Sequence, residues 1–294
     1  MSKILITGAT GQFGTATINA LLQKGMEANQ ISGLVRNESK ASDLKAKGIN
    51  LVMGNYEDYA SLIAAFKGVD KLLFISASDM VERLAQHERV IKAAIEAGVK
   101  HIVYTSFERK NNTENSPIWL ITRAHLNSEK LLKESGVTYT ILRNNLYMDF
   151  IPVFIGEKVV ETGTIYLPAN SGKAGVALRA EMAEATANVL AASGHDNKVY
   201  NFSNTETYSY RDVAKYISEA TGKDIQYISP SKDEYIQTLT KAGVPLEYVE
   251  LFASFAIAQA QDDLDSSSAD LENLLGRKPT SLKEYLKTIY SSKN

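Results

Sequence analysis

A doubly wound parallel α/β fold is predicted by three features of this 294-residue sequence. Short apolar runs rich in β-branched residues recur at Lys3 to Thr7, Gln30 to Val35, Asn50 to Met53, Lys71 to Ile75, His101 to Thr105 and Thr138 to Leu142. Stretches of helical periodicity separate them, and strands that alternate with helices pair in parallel through right-handed crossovers. Gly25, Gly48, Gly68, Gly98 and Gly136 each stand just before the next strand, where a glycine closes a helix.

The first strand runs into Gly8-Ala9-Thr10-Gly11-Gln12-Phe13-Gly14, and an apolar-periodic helix follows over Thr15 to Leu22. Strand, G-x-x-G-x-x-G turn and helix in this order make a Rossmann-type dinucleotide turn. Gly8 lets the chain leave the strand, Gly11 leaves room for a diphosphate beside the backbone, and Gly14 lets helix and strand pack closely. Free N–H groups and the positive end of the helix dipole then meet the diphosphate. Gly8, Thr10, Gly11, Gln12, Phe13 and Gly14 are therefore candidate cofactor-binding residues, the alternative being a tight turn without ligand.

The second strand ends in Leu34-Val35-Arg36-Asn37, where an acidic residue for ribose hydroxyls is absent. Arg36, with Lys40 one helical turn on, suits a 2′-phosphate, so NADP(H) is expected and NAD(H) only as a weaker ligand. A solvated arginine is the competing account. Ser76, at the end of the fourth strand, should lie under the ribose and diphosphate. The long helix over Glu82 to Glu96 turns Leu84, Val90, Ile91, Ala94 and Ile95 inward, and His87 within it reads as packed or capping.

After Leu142 the rhythm changes, with Pro152, Gly156, Gly163, Pro168, Gly172 and Gly175 breaking the chain into short pieces. The expected organisation is an NAD(P)-binding domain over 1–150 and a smaller C-terminal α/β cap region over 151–294. Lys198 to Phe202 should return to the main sheet as a strand. An amphipathic helix over Arg211 to Thr221, a short strand over Asp224 to Ile228, and mostly helical chain from Lys232 to Asn294 complete it, with breaks near Gly243-Val244-Pro245 and Gly276 to Pro279.

ITGATGQFG, LVRN, YTS, LRNN and the closing LLGRKPTSLKEYL together resemble the atypical short-chain dehydrogenase/reductases of the NmrA-like group over the full length. Within that group the chain is most similar to bacterial NAD(P)H:quinone oxidoreductases. The resemblance implies that Gly54-Asn55-Tyr56-Glu57-Asp58 lies beside the adenine. There Asn55 replaces the usual aspartate and offers both donor and acceptor to the purine edge, or else caps a helix. It also implies that Arg143-Asn144-Asn145-Leu146-Tyr147 lies over the nicotinamide, with Asn144 on the carboxamide and Tyr147 covering the substrate side or simply packing. Ser106 stands where the wider superfamily keeps a catalytic serine, although a hydroxyl capping the sheet's edge would look the same.

The superfamily's Y-x-x-x-K pair is incomplete. Lys130 matches the lysine kept by the group, there to bind the nicotinamide ribose or to polarise a carbonyl, the alternative being plain exposed helix, and four residues before it is Leu126. His125 lies five residues before Lys130, a rotation of roughly 140°, so the two side chains diverge and His125 is disfavoured as a catalytic group. Trp119 is a candidate pocket wall in a segment, Asn112 to Leu120, that reads as a mobile loop.

Composition bounds the rest. Hydrophobic residues make up 44% of the chain, ample for a core, and 32 basic against 34 acidic residues leave a net charge of −2, which argues against nucleic acid as a partner. The absence of cysteine removes disulfides, thiolate nucleophiles and cysteine metal sites. No apolar stretch is long enough to span a bilayer, and a cytoplasmic location is expected. Asp262-Asp263-Leu264-Asp265 lacks the spacing of a metal loop and reads as a solvated helix boundary. HExxH, G-x-S-x-G and Walker motifs are absent too. Without an acid-base tyrosine, hydride transfer to an electron-poor ring that water can protonate suits the site. An NADPH-dependent reductase of quinones or similar small conjugated carbonyls is therefore expected, with the acceptor as its small-molecule partner and homodimerisation open. The other expectation is an NADP(H)-binding redox-sensing regulator without turnover.

Overall fold

In the computed structural model, which describes residues 3–291, strand and helix alternate as the glycine-punctuated sequence requires. The first half runs β1 (Ile4–Ile6), α1 (Gln12–Gln23), β2 (Ile31–Val35), α2 (Ser42–Ala46), β3 (Asn50–Met53), α3 (Tyr59–Phe66), β4 (Lys71–Phe74), α4 (Arg83–Glu96), β5 (His101–Phe107), α5 (Trp119–Glu134) and β6 (Thr138–Asn144). The second half contains α6 (Ile151–Ile155), α7 (Val159–Thr162), β7 (Thr164–Tyr166), α8 (Arg179–Ala191), β8 (Lys198–Phe202), α9 (Tyr210–Thr221) and β9 (Gln226–Ile228). It closes with α10 (Lys232–Lys241), α11 (Leu246–Ala260), α12 (Asp270–Leu275) and α13 (Leu282–Tyr290).

Seven strands pair in parallel in the order β3-β2-β1-β4-β5-β6-β8, so the order reverses at β1 and opens a crevice between the carboxyl ends of β1 and β4. The alternation of side chains along β1 sends Ile4 and Ile6 into one apolar layer and Leu5 into the other, which is why that run carries no polar face. Ile18 and Leu21 of α1, Met182 and Val189 of α8 and Leu271 of α12 cover one side. Leu62 and Phe66 of α3, Val90 and Ile91 of α4 and Leu132 of α5 cover the other.

A third apolar cluster, with Ile151, Tyr210, Ile217, Tyr235, Val249 and Leu286, is built mostly from the second half of the chain, where β7 and β9 form a separate parallel pair. The strand Lys198–Phe202 does return, pairing with β6 from Thr140 opposite Lys198 to Asn144 opposite Phe202. With α8 and α12 also packed on the main sheet, the chain beyond residue 150 is shared between this third cluster and the sheet layers.

Two sequence expectations are corrected here. The acidic run after α11 is not a solvated boundary throughout, because Asp263 is buried: its Oδ1 accepts the N–H groups of Lys110 and Asn111 at 2.8 and 2.5 Å, and its Oδ2 accepts the Ser116 hydroxyl at 3.0 Å. The same contacts correct the free loop expected over 112–120. It is tied down at Asn111 and Ser116, and Trp119, half-buried, opens α5.

Candidate active site at the carboxyl edge of the sheet

The turn after β1 is shaped by its glycines. Gly8 has φ +57°, and a Cβ built on Gly14 would stand 2.3 Å from the Gly8 carbonyl oxygen, so the helix can approach the strand only because that Cβ is missing. At Gly11 the same contact would be 3.2 Å, and the residue is exposed to the crevice. The Gly11 N–H closes the turn on the Gly8 carbonyl at 2.9 Å, and α1 begins without any side-chain cap. The first N–H groups of α1, those of Gln12, Phe13 and Gly14, are therefore free to meet an anion. Thr10 and Gln12 are exposed beside them, while Phe13 is buried.

At the exit of β2, Arg36 and Lys40 are both exposed, and neither side chain has a hydrogen bond or ion pair among the described residues. The helix-capping role considered for Asn55 belongs to Asp58, whose carboxylate accepts the Ser61 N–H at 3.1 Å. Asn55 instead accepts the Glu57 N–H at 3.3 Å through its oxygen, leaving its amide N–H groups without a partner among the described residues. Tyr56, not singled out in the sequence, bonds through its hydroxyl to Thr7 Oγ1 at 2.5 Å and the Ile75 carbonyl at 2.8 Å. It thereby ties the ends of β1, β3 and β4 together, and burial pushes its phenol pKa up. Ser76, half-buried at the end of β4, donates its N–H to Thr105 Oγ1 at 2.9 Å.

Beyond β5 and β6 the geometry departs from expectation. Both strands run two residues further than predicted, pairing as far as Phe107 opposite Asn144. Ser106 is buried, and its hydroxyl donates to Glu129 Oε1 at 2.6 Å. Arg109 Nη1 reaches the same oxygen at 3.0 Å, and Arg143 binds both carboxylate oxygens. Burial alone would raise the Glu129 pKa, but Arg143, Arg109 and Ser106 outweigh it and hold the carboxyl below its ordinary value. Ser106 is thus committed to a buried ion cluster.

Lys130 does not join these residues. The buried stripe of α5 is Ile121, Thr122, Ala124, His125, Ser128, Glu129 and Leu132. At about 100° per residue Lys130 falls nearly opposite that stripe, and it is exposed without a partner among the described residues. The structure therefore does not bring Lys130 together with the residues expected to share its catalytic and ribose-binding role. The pair four residues apart that shares the inward face, as a Y-x-x-x-K pair would, is His125 and Glu129.

Asn144 is buried, donates to the Tyr147 hydroxyl at 3.3 Å, and leaves its side-chain oxygen without a partner among the described residues. Tyr147 lies between Phe13 and Phe150, with ring centroids 6.2 and 6.1 Å away. The Arg179 guanidinium sits 4.5 Å over its ring, anchored 3.1 Å from Asp149. The glycine turn, the β6 exit and the start of α8 therefore meet at Tyr147. Sequence reasoning missed Arg109, Glu129 and Arg179. For Glu129 a signal existed in the inward stripe of α5; for the two arginines there was none.

The sequence profile of the NmrA-like family matches residues 1–286. The chain belongs to the NmrA-like family. Over 291 residues this family member is 35% identical to quinone oxidoreductase 2 of Escherichia coli (strain K12), a match covering 99% of this chain and 100% of that protein. It is also similar to the crystal structure of the NADPH-dependent quinone oxidoreductase of Escherichia coli complexed with NADPH. That likeness has a TM-score of 0.91 and 35% identity, and covers 98% of this chain and 99% of that one. The Citrobacter sp. triphenylmethane reductase complexed with NADP(H) gives a TM-score of 0.90 at 38% identity, over 97% of this chain and 99% of that one. Among the described residues no helix is long and apolar enough to cross a membrane, and no group of three or more His, Cys, Asp or Glu side chains could hold a metal ion.

Proposed function

We propose that this NmrA-like chain is an NADPH-dependent reductase that passes hydride to a quinone or a similar small conjugated carbonyl. The observation that carries the reading is the set of unsatisfied groups along the sheet's carboxyl edge. Uncapped N–H groups at the start of α1, the unpaired Arg36 and Lys40, and the orphaned Asn144 oxygen match in turn a diphosphate, a 2′-phosphate and a carboxamide N–H. Buried polar atoms are rarely left without partners, so the Asn144 oxygen points to a ligand donor. Asn55 would meet the purine edge and Ser76 the ribose, while Tyr147 with Phe13 closes the cap side.

When bound, NADPH supplies the hydride. The chain's own part is to hold it and to exclude water. Phe107 packs against Phe255 of the cap with ring centroids 6.1 Å apart, and Phe154 lies on Phe252 and Phe255, which makes an apolar wall suited to a flat conjugated acceptor. A cytoplasmic location and a homodimer belong to the same proposal, and light scattering tests the second. The deciding experiment follows nicotinamide absorbance after 1,4-benzoquinone is added to protein and NADPH. Quinone-dependent oxidation is expected; tight NADPH binding without any oxidation would make the chain an NADP(H)-binding regulator instead.

A further inference from the structure

We propose that His125 is a catalytic residue whose Nε2–H is a prealigned hydrogen-bond donor to the acceptor's carbonyl oxygen, and that Tyr104 and His87 are positioning residues that hold it in that form. The inference rests on the reductase reading and deepens it.

The argument follows the protons. The Ala77 N–H, which can only donate, points at His87 Nε2 from 2.9 Å, so the remaining proton of a neutral His87 is on Nδ1. From Nδ1 it faces Ser128 Oγ at 3.0 Å and Tyr104 Oη at 3.2 Å. Ser128 cannot donate back, because its single hydroxyl proton is directed to the Ala124 carbonyl at 2.7 Å. Tyr104 cannot donate toward His87 either, and of its two remaining partners Ser128 Oγ already faces the His87 proton, so the phenol proton goes to His125 Nδ1 at 2.7 Å. With Nδ1 accepting, a neutral His125 carries its proton on Nε2, and that atom has no partner among the described residues. Burial, with Arg83 adding repulsion, pushes the His87 pKa down to about 3. Burial also holds His125 well below its ordinary value, with His87, Arg83 and Arg109 adding to the effect, so both rings are neutral near pH 7.

The ring is also in the right place. It lies 6.2 Å from the Phe107 ring, at the seam where the end of β5 meets the apolar wall of the cap. Hydride added to a quinone carbon sends an electron pair onto the carbonyl oxygen, and a fixed N–H donor stabilises that growing charge. The relay cannot deliver a net proton, because it ends on the Ala77 amide and the Ala124 carbonyl. His125 therefore donates a hydrogen bond only; water protonates the enolate oxygen, and the hydroquinone forms when the ring CH2 loses a proton to water and the second carbonyl oxygen takes one up.

Long-range ¹H–¹⁵N spectra of histidine-labelled protein read the tautomer directly, with the His125 signals assigned by their loss in His125→Phe. An Nε2–H pattern is expected; an Nδ1–H pattern overturns the proposal. In turnover with 1,4-benzoquinone, His125→Phe should lower kcat by about 100-fold, the usual effect of removing one such donor, with the Kd for NADPH within twofold of wild type. His125→Gln, which keeps an N–H donor, should recover part of the loss. Tyr104→Phe should reduce kcat and shift the His125 spectrum to a tautomer mixture. Unchanged kcat in His125→Phe overturns the proposal; should that variant not fold, Tyr104→Phe with a wild-type spectrum and rate does so. A wild-type chain that binds NADPH and leaves benzoquinone unreduced sinks the reductase reading instead, and this role with it.

Discussion

Arg143 grips Glu129 with two hydrogen bonds, Nε to Oε1 at 3.1 Å and Nη2 to Oε2 at 2.5 Å, where β6 meets the inward face of α5. Arg109 and Ser106 share the same buried carboxylate. Removing that one negative charge leaves Arg109, itself sealed from solvent, without compensation. Glu129→Gln should cost about 3–5 kcal/mol of stability, as expected when one partner of a buried ion cluster is lost. Urea unfolding measures it, and a change within about 0.5 kcal/mol, typical of a surface site, would mean that the cluster is not what joins α5 to the sheet.

Lys130, one residue further on, faces away from all of this. Lys130→Met should leave kcat and the NADPH affinity at wild-type values. Steady-state kinetics and calorimetry check both, and a large loss of turnover would restore the lysine to the site.

Nucleotide choice rests on Arg36 and Lys40, which stand unpaired at the exit of β2. NADPH should bind more tightly than NADH, and Arg36→Ala should erase most of the difference. Charge-assisted hydrogen bonds contribute about 1.5–3 kcal/mol each, so the preference should be on the order of tenfold or more. Equal affinities in the wild-type chain would remove the role assigned to Arg36.

The glycine turn separates binding from folding. Gly11→Val places a side chain where a diphosphate oxygen belongs, and its nearest protein atom, the Gly8 oxygen at 3.2 Å, has to move only a few tenths of an ångström. The variant should fold, yet its thermal midpoint should no longer rise with added NADPH. Gly14→Ala should do the reverse, lowering stability before any ligand is added, because its Cβ would meet backbone at 2.3 Å. Wild-type ligand stabilisation in Gly11→Val would show that the diphosphate lies elsewhere.

Acid should weaken the fold in a specific window. His87, with its pKa pushed down to about 3, and His125, held well below the ordinary value, stay neutral while the unfolded chain takes up protons below about 6.5. The stability they contribute is present above pH 6.5 and is lost as the pH falls, by about 1.4 kcal/mol per pH unit for each ring. Between pH 6.5 and 4.5, before the carboxylates protonate in number, His125→Phe should show a shallower decline than wild type in urea unfolding. Equal slopes would contradict a buried, neutral His125.

Much of the architecture was legible because its causes are local. The strand at Lys198 to Phe202 appears at its predicted bounds, and the five helix-closing glycines all have positive φ, since local chain propensity and sterics decide both. The glycine turn was legible for the same reason. Asp263 was not: its partners, Lys110, Asn111 and Ser116, are roughly 150 positions away, and nothing in three nearby acids tells which will be buried.

By itself, then, the sequence determined the order of elements as far as β6, the winding of the sheet and the turn that would cradle a diphosphate, each set by residues within a few positions of one another; β7 and α8, beyond the break in rhythm after Leu142, were not read from it. Only the tertiary structure decided which face of α5 meets the sheet. A shift of one residue turns a helix by about 100°, which separates a solvated Lys130 from a Glu129 held by two arginines. The same packing brings Ala77, His87, Tyr104 and His125 from three elements and a loop into one line of hydrogen bonds, and Arg179 over Tyr147. Such contacts form where desolvated groups must find partners across the fold, and a linear pattern does not record them.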